Sequence, residues 1–148
     1  MTLRPLLPAD IDALLAIEEA ATPYPWSRKQ FADGFEAGEF GWGVEADAHL
    51  VAFAIFNSVL DEASLLDIAV HPYYQRRGLA RELLAACLHE LQQRGSARCL
   101  LEVRISNGAA IALYRALEFS DDGRRRHYYP TANGREDALL MSRSLTDA

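Results

Sequence analysis

Between Leu79 and Leu91 the apolar side chains fall at Leu79, Leu83, Leu84, Cys87, Leu88 and Leu91. Steps of three and four follow the turn of an α-helix, so the pattern predicts a helix from Gly78 to Arg94 with one face on a core. Gly95 is a natural stop, because glycine readily takes the left-handed conformation that closes a helix. Ile11, Leu14, Leu15 and Ile17 predict an earlier helix over about residues 8 to 21. Another begins after "YPWS". There Ser27 and Gln30 make an S-x-x-Q capping box, and Trp26 and Phe31 stand where a hydrophobic staple packs across a helix start. This helix runs to about Ala37, and Gly38 can end it. Ser106 or Asn107 caps a short fourth helix whose Ala110, Ile111, Leu113, Tyr114 and Leu117 face inward.

Other apolar runs are too short or too continuous for helices. Phe40 to Ala46, "HLVAFAIFNSVL" and "ASLLDIAV" read as three strands. Asp47 and then Asp61-Glu62 mark the turns between them, which suggests an antiparallel meander. "ARCLLEVR" is a further strand. Turn-like residues from Glu118 to Gly123 follow the fourth helix, and two final strands flank "YPTANGREDA" as a loop. The order is mixed α and β, with a strand-helix-strand-helix unit in the second half.

The length of 148 residues predicts one domain spanning 1–148. No apolar stretch approaches a membrane span, and the N-terminus lacks the apolar core of a signal peptide, so a cytoplasmic protein without membrane contact is expected. A net charge of -6 argues against general nucleic-acid binding, which rests on neutralising phosphate, and favours a cationic partner. Cys87 and Cys99 fall in apolar helix and strand patterns and read as buried thiols. The four histidines are scattered, and no metal-ligand spacing occurs, so no metal is expected.

Against the acidic background, Gln75-Arg76-Arg77-Gly78-Leu79-Ala80 stands where a strand turns into a helix. A helix start exposes unpaired N–H groups and the positive end of its dipole. Glycine permits close approach, and arginine recognises phosphate oxygens in pairs. Together these make a phosphate or pyrophosphate cradle. Taken alone, the stretch is equally an ordinary turn with surface arginines. It is neither a Walker A loop nor a G-x-G-x-x-G turn.

The stretch "VHPYYQRRGLAREL" is similar to the acyl-CoA loop of the GNAT acetyltransferase superfamily. "YPWS", "LDEASLLDIAV", "LEVRISNGAAIALYRALEF" and "RRHYYPTANGREDALLM" extend the likeness along nearly the whole chain. They resemble, within that superfamily, the enzymes that acetylate the N-terminal alanine of ribosomal proteins. The resemblance implies an α/β (α+β) fold: a mixed, mostly antiparallel sheet splayed at two parallel strands, "LLDIAV" and "RCLLEVR", with about four flanking helices. It implies acetyl-CoA as co-substrate and, as acceptor, a protein N-terminus, that of a small-subunit ribosomal protein. Ile68, Ala69 and Val70 would face the acetyl and pantetheine arm. Arg76, Arg77, Gly78, Leu79, Ala80 and Arg81 would hold the pyrophosphate, and Asn107 would contact the pantetheine. One departure is Ala80, where the loop pattern more often has glycine.

Acetyl transfer needs a deprotonated amine, a donor for the oxyanion and an acid for the leaving thiolate. Glu102 interrupts the apolar strand "CLLEVRI", on the face opposite Leu101 and Val103. On its own it is also readable as solvent-facing or paired with Arg104. The resemblance makes it the general base. Tyr114 by itself is a core aromatic; the resemblance makes it the general acid, and the Val70 N–H the oxyanion donor. Trp26 is either a staple only or also a wall of the substrate pocket with Tyr24 and Pro25. Tyr128 and Tyr129 would line the peptide groove. Arg124, Arg125 and Arg126 read as edge-strand charges, and Glu136 and Asp137 as acids available to a basic substrate. Three alternatives stay open: other protein N-termini or lysines as acceptors, a small-molecule amine, and a non-catalytic acyl-CoA-binding module.

Overall fold

The computed structural model describes residues 2–146. In chain order the elements are β1 (Thr2–Pro5), α1 (Ile11–Ala21), α2 (Arg28–Glu36), β2 (Phe40–Ala46), β3 (His49–Val59), β4 (Glu62–Val70), α3 (Leu79–Gln93), β5 (Arg98–Arg104), α4 (Gly108–Ala116), β6 (Ser120–Thr131) and β7 (Gly134–Ser144). The strands form one sheet in the order β1-β2-β3-β4-β5-β7-β6. β4 and β5 run parallel, and the other neighbours are antiparallel. This is the expected mixed sheet with four helices. The ends of the expected domain, residue 1 and residues 147–148, lie outside the described residues.

Helices cover both faces. Leu83, Leu84, Cys87, Leu88 and Leu91 of α3 pack with Ala52, Ala54 and Phe56 of β3 and with Tyr114 of α4. On the opposite face Leu14 and Ile17 of α1 and Phe31 of α2 pack on Phe53, Ile55 and Ala69. β3 is therefore apolar at every position from Val51 to Phe56, as a strand buried on both sides must be.

Local signals are realised in detail. Ser27 Oγ accepts the Gln30 N–H at 3.2 Å while Gln30 Oε1 accepts the Ser27 N–H at 2.8 Å. The Trp26 and Phe31 rings meet at 5.3 Å, completing the staple. Gly95, at φ 92°, closes α3 with Gly95 N–H on Gln92 O and Ser96 N–H on Leu91 O. Asn107 is the residue that caps α4, its Oδ1 accepting the Ala110 N–H at 3.2 Å.

Four local features differ from expectation. β1 carries no strand signal, being four residues long with Pro5 at its end; its place comes from pairing with Val44 and its neighbours in β2. The β3–β4 turn falls at Leu60-Asp61, and Glu62 already pairs with Val59. The stretch from Ser120 to Gly123 belongs to β6, with a register shift between Asp121 and Gly123. Finally, "YPTANGREDA" is no loop. Tyr129, Pro130 and Thr131 pair with Glu136, Arg135 and Gly134, leaving a turn of Ala132 and Asn133. Pro130 is tolerated because β6 is an edge strand.

Candidate active site

β4 and β5 pair only from Glu62–Arg98 to Leu65–Leu101. Beyond that point each strand keeps its outer partner, β4 with β3 and β5 with β7, and the two inner edges part. The cause on the β4 side is a bulge. Leu66 is an extra residue, because Ile55 pairs with Asp67 while Phe56 pairs with Leu65. The opened edges wall a cleft of about 820 Å³.

Backbone groups face into it. The His71 N–H donates to Val51 O at 2.8 Å, so residues 71 and 51 are a bonded antiparallel pair. Bonded and non-bonded pairs alternate, so the main-chain groups of Val70 and Ile68 point away from β3 and toward the cleft. Gln75 Nε2 donates to Val70 O at 2.9 Å. The Val70 N–H is left aimed at the open space.

At one end of the cleft lies the turn into α3. Arg76 and Gly78 take φ 64° and 75°, which fold the chain back before Leu79. The first α3 amide to find a helical acceptor is that of Glu82, on Gly78 O at 3.1 Å. The turn before it keeps free N–H groups. Arg76, Gly78, Leu79, Ala80 and Arg81 line the cleft, as do Ile68, Ala69, Val70 and Asn107. Arg77 does not. Its guanidinium lies 5.1 Å from the centroid of Tyr73 and 5.5 Å from that of Tyr74.

Glu102 and Tyr114 both line the cleft. Glu102 lies on the α1 face of β5, as alternation predicts, while Leu101 and Val103 enter the core on the α3 face. Its partner is Arg125, whose Nε donates to Glu102 Oε1 at 2.9 Å; the pairing with Arg104 does not occur. Tyr114 is 5% exposed. Burial first, and then the nearby Asp67 carboxyl, push its phenol above the usual range, which keeps it protonated at neutral pH.

The mouth on the α1 face is framed by aromatic rings. Arg104 lies 3.5 Å from the ring centroid of Tyr24 and 4.6 Å from that of Tyr129, bridging the α1–α2 loop to β6. A register shift between Arg125 and Tyr129, with His127 at φ 51°, sends successive side chains apart. Tyr129 thereby lines the cleft, and its phenol is pushed up to about 12, by burial first and then by Glu102. Tyr128 stays outside it, 43% exposed. Trp26 packs on Phe31 as the staple and also lines the cleft. Glu136 and Asp137 are not free for a substrate. Glu136 accepts the Ser106 N–H and pairs with Arg104, and these contacts, Ser106 foremost, hold its carboxyl below the usual range. Asp137 holds Arg124 and the His127 N–H.

Two cleft carboxylates escaped the sequence reading: Glu18 and Asp67. A signal existed for each. Glu18 falls on the apolar face of α1 with Leu14 and Ile17, and Asp67 interrupts the apolar run "LLDIAV". Both cysteines are buried, and burial pushes each thiol up to about 12, so neither is poised as a nucleophile.

Residues 11–119 match the model of the acetyltransferase (GNAT) family. The chain is 47% identical over 141 residues to the ribosomal protein bS18-alanine N-acetyltransferase of Escherichia coli K12, covering 95% of both chains. Its identity to the protein of the same name from Haemophilus ducreyi is 38% over 134 residues, 90% of this chain and 92% of the other. The crystal structure of the ribosomal-protein-S18-alanine N-acetyltransferase from Escherichia coli matches with a TM-score of 0.94 at 46% identity, over 99% of this chain and 95% of that one. With its sheet opened at a parallel pair, an amide-rich helix start at one end of the gap and these relatives along nearly all of its length, the chain belongs to the GNAT acetyltransferase family.

Proposed function

We propose that this protein, acting as one catalytic domain in the cytoplasm, moves the acetyl group of acetyl-CoA onto the N-terminal α-amine of a small-subunit ribosomal protein. The alanine of bS18, named in its relatives, is the first acceptor to test. The carrying observation is the gap between β4 and β5, with Glu102 and Tyr114 both lining it. Acetyl-CoA fits the groups present. The main-chain groups of Ile68 and Val70 suit an arm that carries amides. The free amides of the α3 turn with Arg76 and Arg81 suit a pyrophosphate. When bound, acetyl-CoA supplies a thioester carbonyl as the electrophile.

The chain's own groups then divide the work. Glu102 takes the proton that the acceptor's ammonium must lose before its amine can attack, directly or through one water. The Val70 N–H donates to the carbonyl oxygen as its charge grows. Tyr114 holds its phenolic proton at neutral pH and gives it to the departing sulfur. Trp26, Tyr24 and Tyr129 wall the acceptor side. No covalent acyl-enzyme is needed.

The test is mass spectrometry of small-subunit ribosomal proteins incubated with the protein and acetyl-CoA. One new acetyl group on the N-terminal alanine of bS18 is the expected result. Acetylation confined to lysines or to small amines would overturn the acceptor. Saturable acetyl-CoA binding without release of free thiol would overturn the enzymatic reading altogether.

A further inference from the structure

Glu18 of α1 is 1% exposed, a degree of burial that carboxylates rarely reach unless paired. No cation within ion-pair distance accompanies it or Asp67 among the described residues. Its Oε2 accepts the Trp26 N–H at 2.9 Å. Its Oε1 is buried with no donor, and so is Asp67 Oδ2. Both residues line the same cleft, and Glu18 is the neighbour that, after burial itself, most favours the protonated form of Asp67. One proton held between the two carboxyl groups would give the orphaned oxygens a partner. Without that proton two buried anions would face each other.

The location gives the pair a task. Asp67 is the residue after the bulge at Leu66, where β4 leaves β5. Trp26 belongs to the α1–α2 loop, on the acceptor side of the cleft. The run from the Trp26 main chain through Glu18 to Asp67 therefore ties the acceptor wall to the strand edge that carries the Val70 N–H.

Resting on the function proposed above, we infer that Glu18 and Asp67 are positioning residues that share one proton, and that this proton holds the Trp26 loop in the shape that receives the acceptor peptide. Tyr114 from α4 faces Asp67, and Glu102 from β5, with Tyr24, Arg104 and Tyr129 at the mouth, lines the same cleft. Of these, Arg104 is the cation, and it is already engaged by Glu136. Burial and then Glu18 favour the protonated form of Asp67 well above the ordinary carboxylate range. Loss of the proton sets two anions against each other and loosens the loop.

The experiment compares wild type with Asp67→Asn from pH 5 to 10. Asparagine keeps the shape and donates a permanent N–H to Glu18. The first readout is tryptophan fluorescence of the protein alone, with Trp26→Phe to assign the signal. The second is the KM for an alanine-first peptide beside the Kd for acetyl-CoA. Wild type is expected to show one Trp26-dependent fluorescence step. Peptide KM should rise about tenfold across it, the worth of one charge-assisted hydrogen bond, while the Kd for acetyl-CoA holds. In Asp67→Asn both readouts should stay at their low-pH values. A flat wild-type fluorescence curve would overturn the inference, as would the same step persisting in Asp67→Asn. Because fluorescence needs no acceptor, a peptide that proves not to be a substrate fails the functional reading and leaves this one measurable.

Discussion

Arg125 Nε sits 2.9 Å from Glu102 Oε1, joining edge strand β6 to the carboxylate that faces the cleft. The arginine is about half exposed, so the pair is a solvent-screened one worth on the order of 1 kcal/mol or less. It holds Glu102 from one side.

Replacing Glu102 by Gln should lower kcat by a factor on the order of 10² to 10⁴, the usual worth of a general base. Acetyl-CoA binding, followed by calorimetry, should be unchanged. Arg125→Ala should leave stability in urea within about 1 kcal/mol of wild type. Full activity in Glu102→Gln would remove it from the mechanism.

For Tyr114→Phe, kcat should fall by about 10² if the phenol protonates the leaving sulfur. Stability at neutral pH should change by about 1 kcal/mol or less, since only a hydroxyl is removed. The folded state holds the phenolic proton above the ordinary value of 10.0. That contribution is fully present below pH 10 and is lost as pH rises through the higher folded value. Urea melts at pH 7 and above pH 10 should show wild type losing ground to Tyr114→Phe only in the alkaline series.

Asp67 obeys the same sign at lower pH. Its folded form keeps a proton that the unfolded chain releases near 3.8. Folding therefore takes up a proton above that value, and wild type should lose stability relative to Asp67→Asn by up to about 1.4 kcal/mol per pH unit. The gap should widen from about pH 4 upward and level off once the folded carboxyl ionises. Thermal melts across pH 4 to 9 measure it. A constant gap would mean that Asp67 carries no raised proton.

Ser27→Ala removes the hydroxyl that accepts the Gln30 N–H and should cost about 1 kcal/mol. Because this cap sits beside Trp26, peptide KM should rise more than the Kd for acetyl-CoA. Equal effects on both would show that the α2 start does not shape the acceptor wall.

Cys87 and Cys99 should resist a thiol reagent in the native protein and react in denaturant, since both are buried with thiols pushed up to about 12. Native-state modification accompanied by loss of activity would reopen an acyl-cysteine route.

Much was legible in the sequence because it is local. The α3 stripe, the Ser27 box with its staple, and the Gly95 stop each rest on contacts within a few residues, so spacing alone specifies them. The side of β5 that Glu102 takes follows from the same reasoning, since strand faces alternate. β1 and the reach of the β6–β7 ladder into "YPTANGREDA" were not legible. β1 has no local preference to display, and Pro130, a turn signal by itself, is accepted in β6 because that strand lies at the sheet edge.

Chain order and local periodicity by themselves determined the helices, most strands and the strand-to-helix turn with its free amides. Tertiary structure alone decided where β4 and β5 part, which arginine meets Glu102, and that Arg77 turns to Tyr73 and Tyr74. It also brought Glu18 and Asp67, 49 positions apart, into one cleft. Such pairings join residues distant along the chain, and their energies depend on burial and register, which no local pattern encodes.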